Sequence, residues 1–169
     1  MTDPRPLPIH AAVSSTGHVT YVFADGRTLT LHGTHPYRDN NPGNLRYIGK
    51  DGLERARKAG AIGIDDTFAI FASPEAGNDA LNKMIVRRGN EGMTIQKFLS
   101  VYAPKEENDF PAYLLAVTKA LGAKPSDTLN KLNAAQRAVL AETVRKVEGW
   151  YMNGRQFSPP VEGRQPPPR

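Results

Sequence analysis

The second half of the chain carries a regular succession of helix-start and helix-stop signals, and this pattern restricts the fold more than any other feature. Each start has a capping side chain, three of the four add a residue suited to the first helical turn, and glycines follow as stops. The starts are Ser73 with Pro74, Thr94, Asp109 with Pro111, and Asn133 with Gln136; the stops are Gly89, Gly122 and Gly149. These signals predict four helices, over 74–88, 94–101, 110–121 and 134–148, and therefore a mainly α body.

Strand signals lie ahead of the helices. Two β-branched runs, 18–23 and 27–32, flank an Asp25-Gly26 turn, and Asp-Gly between alternating runs is the strongest short-range hairpin signal. We therefore predict an N-terminal β-hairpin over 18–32, which docks on the helical body because an isolated hairpin is marginal in water. The segment 34–66 is rich in Gly, Asn and Asp and is predicted to be a long structured loop with a short helix at 53–58.

The proline-rich ends, 1–12 and 158–169, are predicted to be a flexible arm and a disordered tail, which leaves one domain over 13–157. Complete absence of cysteine excludes disulfide scaffolds and thiolate metal sites. The four histidines lie within the first 35 residues without metal-ligand spacing, so we expect neither a metal nor another cofactor.

The charge pattern and hydropathy restrict where the protein acts and on what. The formal net charge of +5 favours an anionic partner. The basic residues are spread along the chain without aromatic interleaving, and so we predict no nucleic-acid partner. No apolar run approaches the roughly 20 residues of a membrane span, and the proline-rich start does not resemble a signal peptide. We expect synthesis in the cytoplasm and, for any action outside it, a separate delivery route.

The last turn of the fourth predicted helix offers a candidate general acid, Glu148. The predicted buried stripe of this helix consists of Leu140, Val144, Val147 and Tyr151. Glu148 lies at the edge of this stripe, where it is partly desolvated, and at the negative end of the helix dipole, next to Trp150. Desolvation and the dipole both favour a raised pKa of its carboxyl group. A general acid working near neutral pH needs such an environment. The alternative is an exposed terminal glutamate paired with Arg145 or Lys146.

Two further polar clusters are candidates for a site. Residues 102–109 place Glu107 ahead of the third helix, where it either faces a cleft or belongs to ordinary cap and dipole chemistry. Residues 38–46 hold three asparagines and a glycine around a proline. These residue types build rigid turns, and they also supply amide donors and acceptors suited to sugar hydroxyl and N-acetyl groups. Both interpretations of each cluster stay open.

Four ordered motifs carry a family resemblance over about residues 38–149. They are Arg38-x-Asn-Asn-Pro-Gly-Asn44; Asp66-x-Phe68-x-x-Phe71-x-Ser73-Pro74 with Gly77 and Ala80; Tyr102-Ala103-Pro104-x-x-Glu107-Asn108-Asp109 with Tyr113; and Glu148-Gly149. In this order they resemble the phage virion-associated, lysozyme-like proteins, whose relatives include domains of secreted interbacterial toxins. The resemblance implies a mainly α, lysozyme-like or lytic-transglycosylase-like domain, here with an N-terminal β-hairpin, that degrades peptidoglycan.

We therefore expect cleavage of the glycan strand between N-acetylmuramic acid (MurNAc) and N-acetylglucosamine (GlcNAc), by a muramidase or a lytic transglycosylase. Glu148 is the predicted acid and base, and Glu107 is the second carboxylate that a hydrolase would need. The predicted substrate-binding residues are Arg38, Asn40, Asn41, Asn44, Arg46, Tyr102, Asn108, Tyr113 and Trp150. The alternative is a non-catalytic wall-binding or virion structural module, since a fold does not imply a function.

The resemblance also implies partners and a place of action. The partners are bacterial peptidoglycan and either an immunity protein or a component of a virion or secretion apparatus. The protein would act in the periplasm or cell wall after delivery by a phage particle, by lysis or by a secretion system.

Overall fold

The computed structural model describes residues 6–102 and 109–149, together with the backbone of 161–163. Three strands, β1 (His10–Ser15), β2 (His18–Val22) and β3 (Thr28–His32), form an antiparallel meander. β2 and β3 pair from Val22 opposite Thr28 to His18 opposite His32, which confirms the hairpin. The prediction of a flexible arm is wrong at residues 10–12, because β2 supplies the pairing partner that fixes them in β1.

A second antiparallel pair, β4 (Ala61–Asp65) and β5 (Phe68–Phe71), lies inside and just beyond the segment predicted as a loop. The turn between the two strands includes Asp66 in a left-handed conformation, with φ of 56°. Gly63 interrupts the apolar alternation of β4 and weakens the strand signal. The tertiary structure explains this glycine, since a Cβ at Gly63 would overlap the carbonyl group of Ala11 in β1. The first sheet gains a fourth strand, β6 (Val161–Gly163), which pairs antiparallel with β3.

The helices are α1 (His35–Arg38), α2 (Gly52–Lys58), α3 (Pro74–Asn90), α4 (Ile95–Tyr102), α5 (Phe110–Leu121) and α6 (Ala134–Val147), with a 3-10 turn at Leu129–Lys131. The predicted caps form. The side chain of Ser73 accepts a hydrogen bond from the Ala76 amide, and Asn133 and Gln136 build a complete capping box. α3 continues through Gly89, where a Cβ would lie 2.5 Å from the Asn130 nitrogen, so that glycine serves packing instead of ending the helix.

The fold is mixed α/β, with 47% of the described residues helical and 20% in strands, so the prediction of a mainly α, lysozyme-like domain with one hairpin is wrong. The extra strands arise from tertiary pairing and create a second small core. Its buried residues are Ala11, Val19, Tyr21, Leu31 and Ile70. The larger core joins the helices to β5 around residues such as Phe71 and Leu81. In the described part of the chain, no helix has the length and apolar character needed to cross a membrane.

The packing of α3 fixes the position of the loop at residues 40–44. A Cβ at Gly77 would overlap the Asn40 carbonyl oxygen and lie 2.7 Å from the Pro42 Cδ, so only glycine permits this approach. At the other end of α3, Gly89 contacts Asn130, just ahead of α6. α3 also packs on α6, and these end contacts show that the two helices run antiparallel. The loop therefore lies near the C-terminal end of α6.

Candidate functional site

The contact between Asn44 and Glu148 is the centre of the candidate site. Glu148 is the C-terminal cap of α6, and Gly149 follows with φ of 84°. The Asn44 Nδ2 group donates a hydrogen bond to Glu148 Oε2 over 2.8 Å, across 104 residues of sequence. Asn44 itself is left-handed, with φ of 49°, a conformation that asparagine tolerates better than most residues. The backbone turn thus aims this amide at the end of α6.

The second polar atom of the Asn44 side chain, Oδ1, does not take part in this hydrogen bond. This oxygen is buried and has no hydrogen-bond partner among the described residues. A buried acceptor without a partner costs about 1–3 kcal/mol. Beside a carboxylate, such an atom is suited to accept from a hydroxyl or N–H group that enters the site.

Tyr102, at the end of α4, belongs to the same electrostatic environment as Glu148. Burial raises the pKa of the Tyr102 hydroxyl far above its ordinary value, and the negative charge of Glu148 raises it further. The phenol therefore stays neutral and available as a hydrogen-bond donor at any physiological pH. Tyr113, on α5, packs against the main core, and its hydroxyl oxygen is buried. Tyr102 and Glu148 are thus electrostatically coupled, while Tyr113 is placed by packing.

The side chains of Asn40 and Asn41 form hydrogen bonds to backbone groups of the protein itself. The Asn41 Nδ2 donates to the carbonyl oxygens of Leu45 and Ala69, each at 3.0 Å, and its Oδ1 accepts from the Leu45 amide at 2.8 Å. The Asn40 Nδ2 donates to the Phe71 carbonyl oxygen at 3.2 Å. Both side chains are buried. They attach the loop to β5 and hold it for Asn44, which makes them positioning residues in this structure.

The two predicted arginines have different environments. The Arg38 Nε donates to Asp65 Oδ2 at 2.8 Å, and its NH1 donates to the Gly33 carbonyl oxygen at 2.7 Å, so this guanidinium is held at the junction of the sheets. Arg46 is exposed and lies over the Phe68 ring, 4.2 Å from its centroid. The structure therefore commits Arg38 to internal contacts and leaves Arg46 at the surface.

A cluster that the sequence analysis missed surrounds Arg38. His35 Nδ1 lies 3.0 Å from Asp39 Oδ2 and 3.3 Å from Asp65 Oδ2. Burial, followed by the charge of Asp65, raises the pKa of Asp39 to about 9, while burial and Arg38 lower the pKa of His35. The only sequence signal for this cluster was the i, i+4 spacing of His35 and Asp39.

The same cluster is the candidate metal-ligating group in the described part of the chain. One ligand atom from each of His35, Asp39 and Asp65 lies within 4.8 Å of the others. The Arg38 guanidinium, however, already supplies a positive charge to Asp65 at hydrogen-bond distance. A cation entering here would have to displace that arginine, so the arrangement is that of an internally neutralised junction.

Three predicted site residues, Glu107, Asn108 and Trp150, lie outside the described residues. Of the others, the structure brings Asn44, Tyr102 and Glu148 into one region. Asn40, Asn41 and Arg38 support the loop that carries Asn44, and Arg46 lies on the Phe68 ring.

Comparison with known proteins yields one weak similarity. No family model matches the chain, and no solved structure matches it. The chain is similar to Protein P5 of Pseudoalteromonas phage PM2, with 32% identity over 97 residues. The match covers 55% of this chain and 59% of Protein P5, so the chain spans about three fifths of that relative's length.

Proposed function

We propose that the protein cleaves the glycan strand of peptidoglycan between MurNAc and GlcNAc, with Glu148 as the general acid and base. The hydrogen bond from Asn44 to Glu148 carries the proposal, because it joins two motifs from opposite ends of the chain at a partly buried carboxyl group. The neutral Tyr102 beside this carboxyl group adds a hydrogen-bonding group for a sugar. The phage origin of the similar Protein P5 is in line with delivery to a bacterial wall by a phage particle or by lysis.

The Asn44 amide also assigns roles to the two oxygens of Glu148. Nδ2–H can only donate, and it donates to Oε2, so the protonated carboxyl group carries its proton on Oε1. In the first step Oε1 gives this proton to the glycosidic oxygen while the bond from that oxygen to the sugar C1 breaks. The leaving sugar departs as an alcohol, and Glu148 becomes a carboxylate.

The second step decides between the two enzyme classes. In a lytic transglycosylase, the sugar's own hydroxyl oxygen attacks C1, and its proton passes to the Glu148 carboxylate, which restores the acid. This route needs one carboxylate. In a hydrolase, water attacks C1, and a second carboxylate assists; Glu107 remains the candidate for that role.

Digestion of purified sacculi tests the proposal directly. The wild-type protein should release soluble muropeptides, and mass analysis distinguishes anhydro sugars from reducing ends. Glu148→Gln removes the proton donor and should lower the release rate roughly 100-fold to 10,000-fold. Glu142→Gln is the matched control, because Glu142 lies on the same helix and pairs with Arg145 and Lys146 at the surface.

Full release by a folded Glu148→Gln protein would contradict the assignment of the acid. Binding to sacculi without any release by the wild type would instead identify a non-catalytic wall-binding or virion module. Release of free peptides with intact glycan would show that a different bond is cut.

A further inference from the structure

A surface groove of about 530 Å³ runs between the C-terminal half of α3 and the N-terminal half of α6. It is lined by Asn82, Lys83, Val86, Arg87, Asn90, Ala134, Arg137 and Ala138. Three of these side chains are cationic, two are amides, three are small and apolar, and none is acidic. The groove therefore offers positive charge and amide groups beside small apolar side chains.

Most of the polar side chains that line the groove are not engaged in strong interactions with the rest of the described protein. Asn82, Lys83 and Asn90 make no side-chain hydrogen bond or ion pair in the part of the chain that the structure describes. Arg87 reaches Glu91 only at 3.5 Å, with both side chains largely exposed. Exposed pairs of this kind contribute little, so Arg87 stays available to a ligand.

Glu148 lies at the opposite end of the helix that forms one side of the groove. Residues 137 and 148 are eleven positions, or about 16 Å, apart along α6. Ala141 and Val144 on the row between them are buried, so a ligand that reaches from Arg137 to Glu148 has to pass beside this row. On α3, Asn78 lies one turn ahead of Asn82, and its Oδ1 is buried without a partner among the described residues. A row of amides thus runs along α3 from the groove toward the loop that carries Asn44.

The lining selects one class of ligand. Cations recognise carboxylates, the amides match peptide groups, and the small side chains of Val86, Ala134 and Ala138 leave space for an extended backbone. The lining holds no aromatic residue on which a base could stack, which disfavours nucleic acid. A peptide of about five residues can span 16 Å when extended. This reach equals the distance from Arg137 to Glu148.

We infer that the groove binds the short acidic peptide that peptidoglycan carries on its MurNAc sugars, while the glycan lies at Glu148. The inference rests on the proposed function for the identity of the polymer. The peptide carboxylates meet Lys83, Arg87 and Arg137, and its amide groups meet Asn82 and Asn90. The groove thereby favours glycan strands that still bear their peptides over bare strands.

Fluorescence anisotropy with a labelled muramyl pentapeptide (MurNAc carrying L-Ala, D-Glu, diaminopimelate, D-Ala and D-Ala) tests the groove. Using the full chain with Glu148→Gln keeps cleavage out of the measurement. Adding Lys83→Glu should weaken binding about tenfold, and adding Asn90→Ala should weaken it a few-fold. Lys97→Glu is the matched control, since Lys97 is exposed on α4 and its replacement changes the net charge equally.

The groove assignment predicts that Lys97→Glu binds within twofold of its parent and that unlabelled MurNAc-GlcNAc disaccharide without peptide competes poorly. Equal losses in Lys83→Glu and Lys97→Glu would overturn it, because binding would then follow net charge alone. Stronger competition by single-stranded DNA than by unlabelled muramyl peptide would also overturn it. If sacculi stay undigested while Lys83→Glu selectively weakens peptide binding, the proposed function fails and the acidic-peptide site stands.

Discussion

Removal of the Asn44 side chain tests the geometry of the candidate site most directly. Asn44→Gly is the suitable change, because residue 44 has φ of 49°. Alanine would add left-handed strain of about 1–2 kcal/mol and confuse the result, whereas glycine adopts this conformation freely. The substitution therefore deletes the amide with little change in the backbone of the folded state.

The expected magnitude follows from the contact itself. The hydrogen bond from Asn44 to Glu148 is 2.8 Å long and partly buried, and hydrogen bonds to charged groups contribute about 1.5–3 kcal/mol. A double-mutant cycle with Glu148→Gln isolates the part of this contribution that depends on the charge of Glu148. Because glutamine keeps an oxygen that can accept from Nδ2, we expect the cycle to return a coupling of only about 1 kcal/mol.

The assay has two readouts on the four proteins of the cycle and on the control Glu142→Gln. Denaturant unfolding gives the coupling free energy, and muropeptide release from sacculi gives the activity. Loss of the orienting amide should lower the release rate of Asn44→Gly about 10-fold to 100-fold, since small errors in the position of a catalytic group are costly. The Glu142→Gln protein should match wild type in both readouts.

Two results would refute this reasoning. If the changes in unfolding free energy of Asn44→Gly and Glu148→Gln add within about 0.3 kcal/mol, the charge of Glu148 does not strengthen this hydrogen bond in solution. If Asn44→Gly keeps the wild-type release rate, the hydrogen bond does not position the acid, and the role of Asn44 would be confined to the turn.

Three other outcomes can be checked. The pKa of Asp39 is raised to about 9, so the folded state keeps a proton that the unfolded chain releases near pH 4, and the free energy of unfolding falls with pH until about 9. The pKa of His35 is lowered, and its effect on stability is opposite and is present only below about pH 6.5. Between pH 7 and 9, Asp39→Asn should therefore lessen the loss of stability that denaturant unfolding measures for the wild type. Equal slopes of unfolding free energy against pH in the two proteins would contradict this. Gly77→Ala should destabilise the fold by about 1–3 kcal/mol in thermal unfolding, because its Cβ would overlap the Asn40 carbonyl group; an unchanged melting temperature would show that the loop yields freely. Added salt should slow digestion of intact sacculi by screening the +5 charge, while turnover of a short neutral oligosaccharide stays nearly constant; parallel losses would place the charge effect inside the cleft.

Interactions between near neighbours in the chain could be predicted from the sequence. The caps at Ser73, Asp109 and Asn133 act within one helical turn, and the structure forms each of them. The hairpin over 18–32 is equally local, since the Asp25-Gly26 turn and the alternation of its flanks set the pairing. The free energies of these caps and of this turn depend on a few adjacent residues, and so the sequence predicts them without knowledge of the fold.

The strands outside the hairpin needed partners that are distant or weakly signalled. The first half of β1 lies in the segment 1–12 that the sequence predicts to be a flexible arm, and its pairing with β2 fixes it. β4 contains a glycine that is explained only by the approach of Ala11. Strand pairing is favourable only when the partner edge is in place. For this reason, the sequence alone predicted too little sheet and the wrong fold class.

The asparagines of the loop at residues 38–46 show which features of the candidate site the sequence predicts and which depend on the tertiary structure. By itself the sequence determined that residues 38–46 form a turn rich in amides and that Glu148 ends a helix. Asn41 and Asn44 are the same residue type three positions apart, and only the tertiary structure directs one inward to Leu45 and Ala69 and the other across to Glu148. The reason is physical: an amide binds whichever groups the fold brings within about 3 Å, and packing between α3, β5 and α6 decides which groups those are.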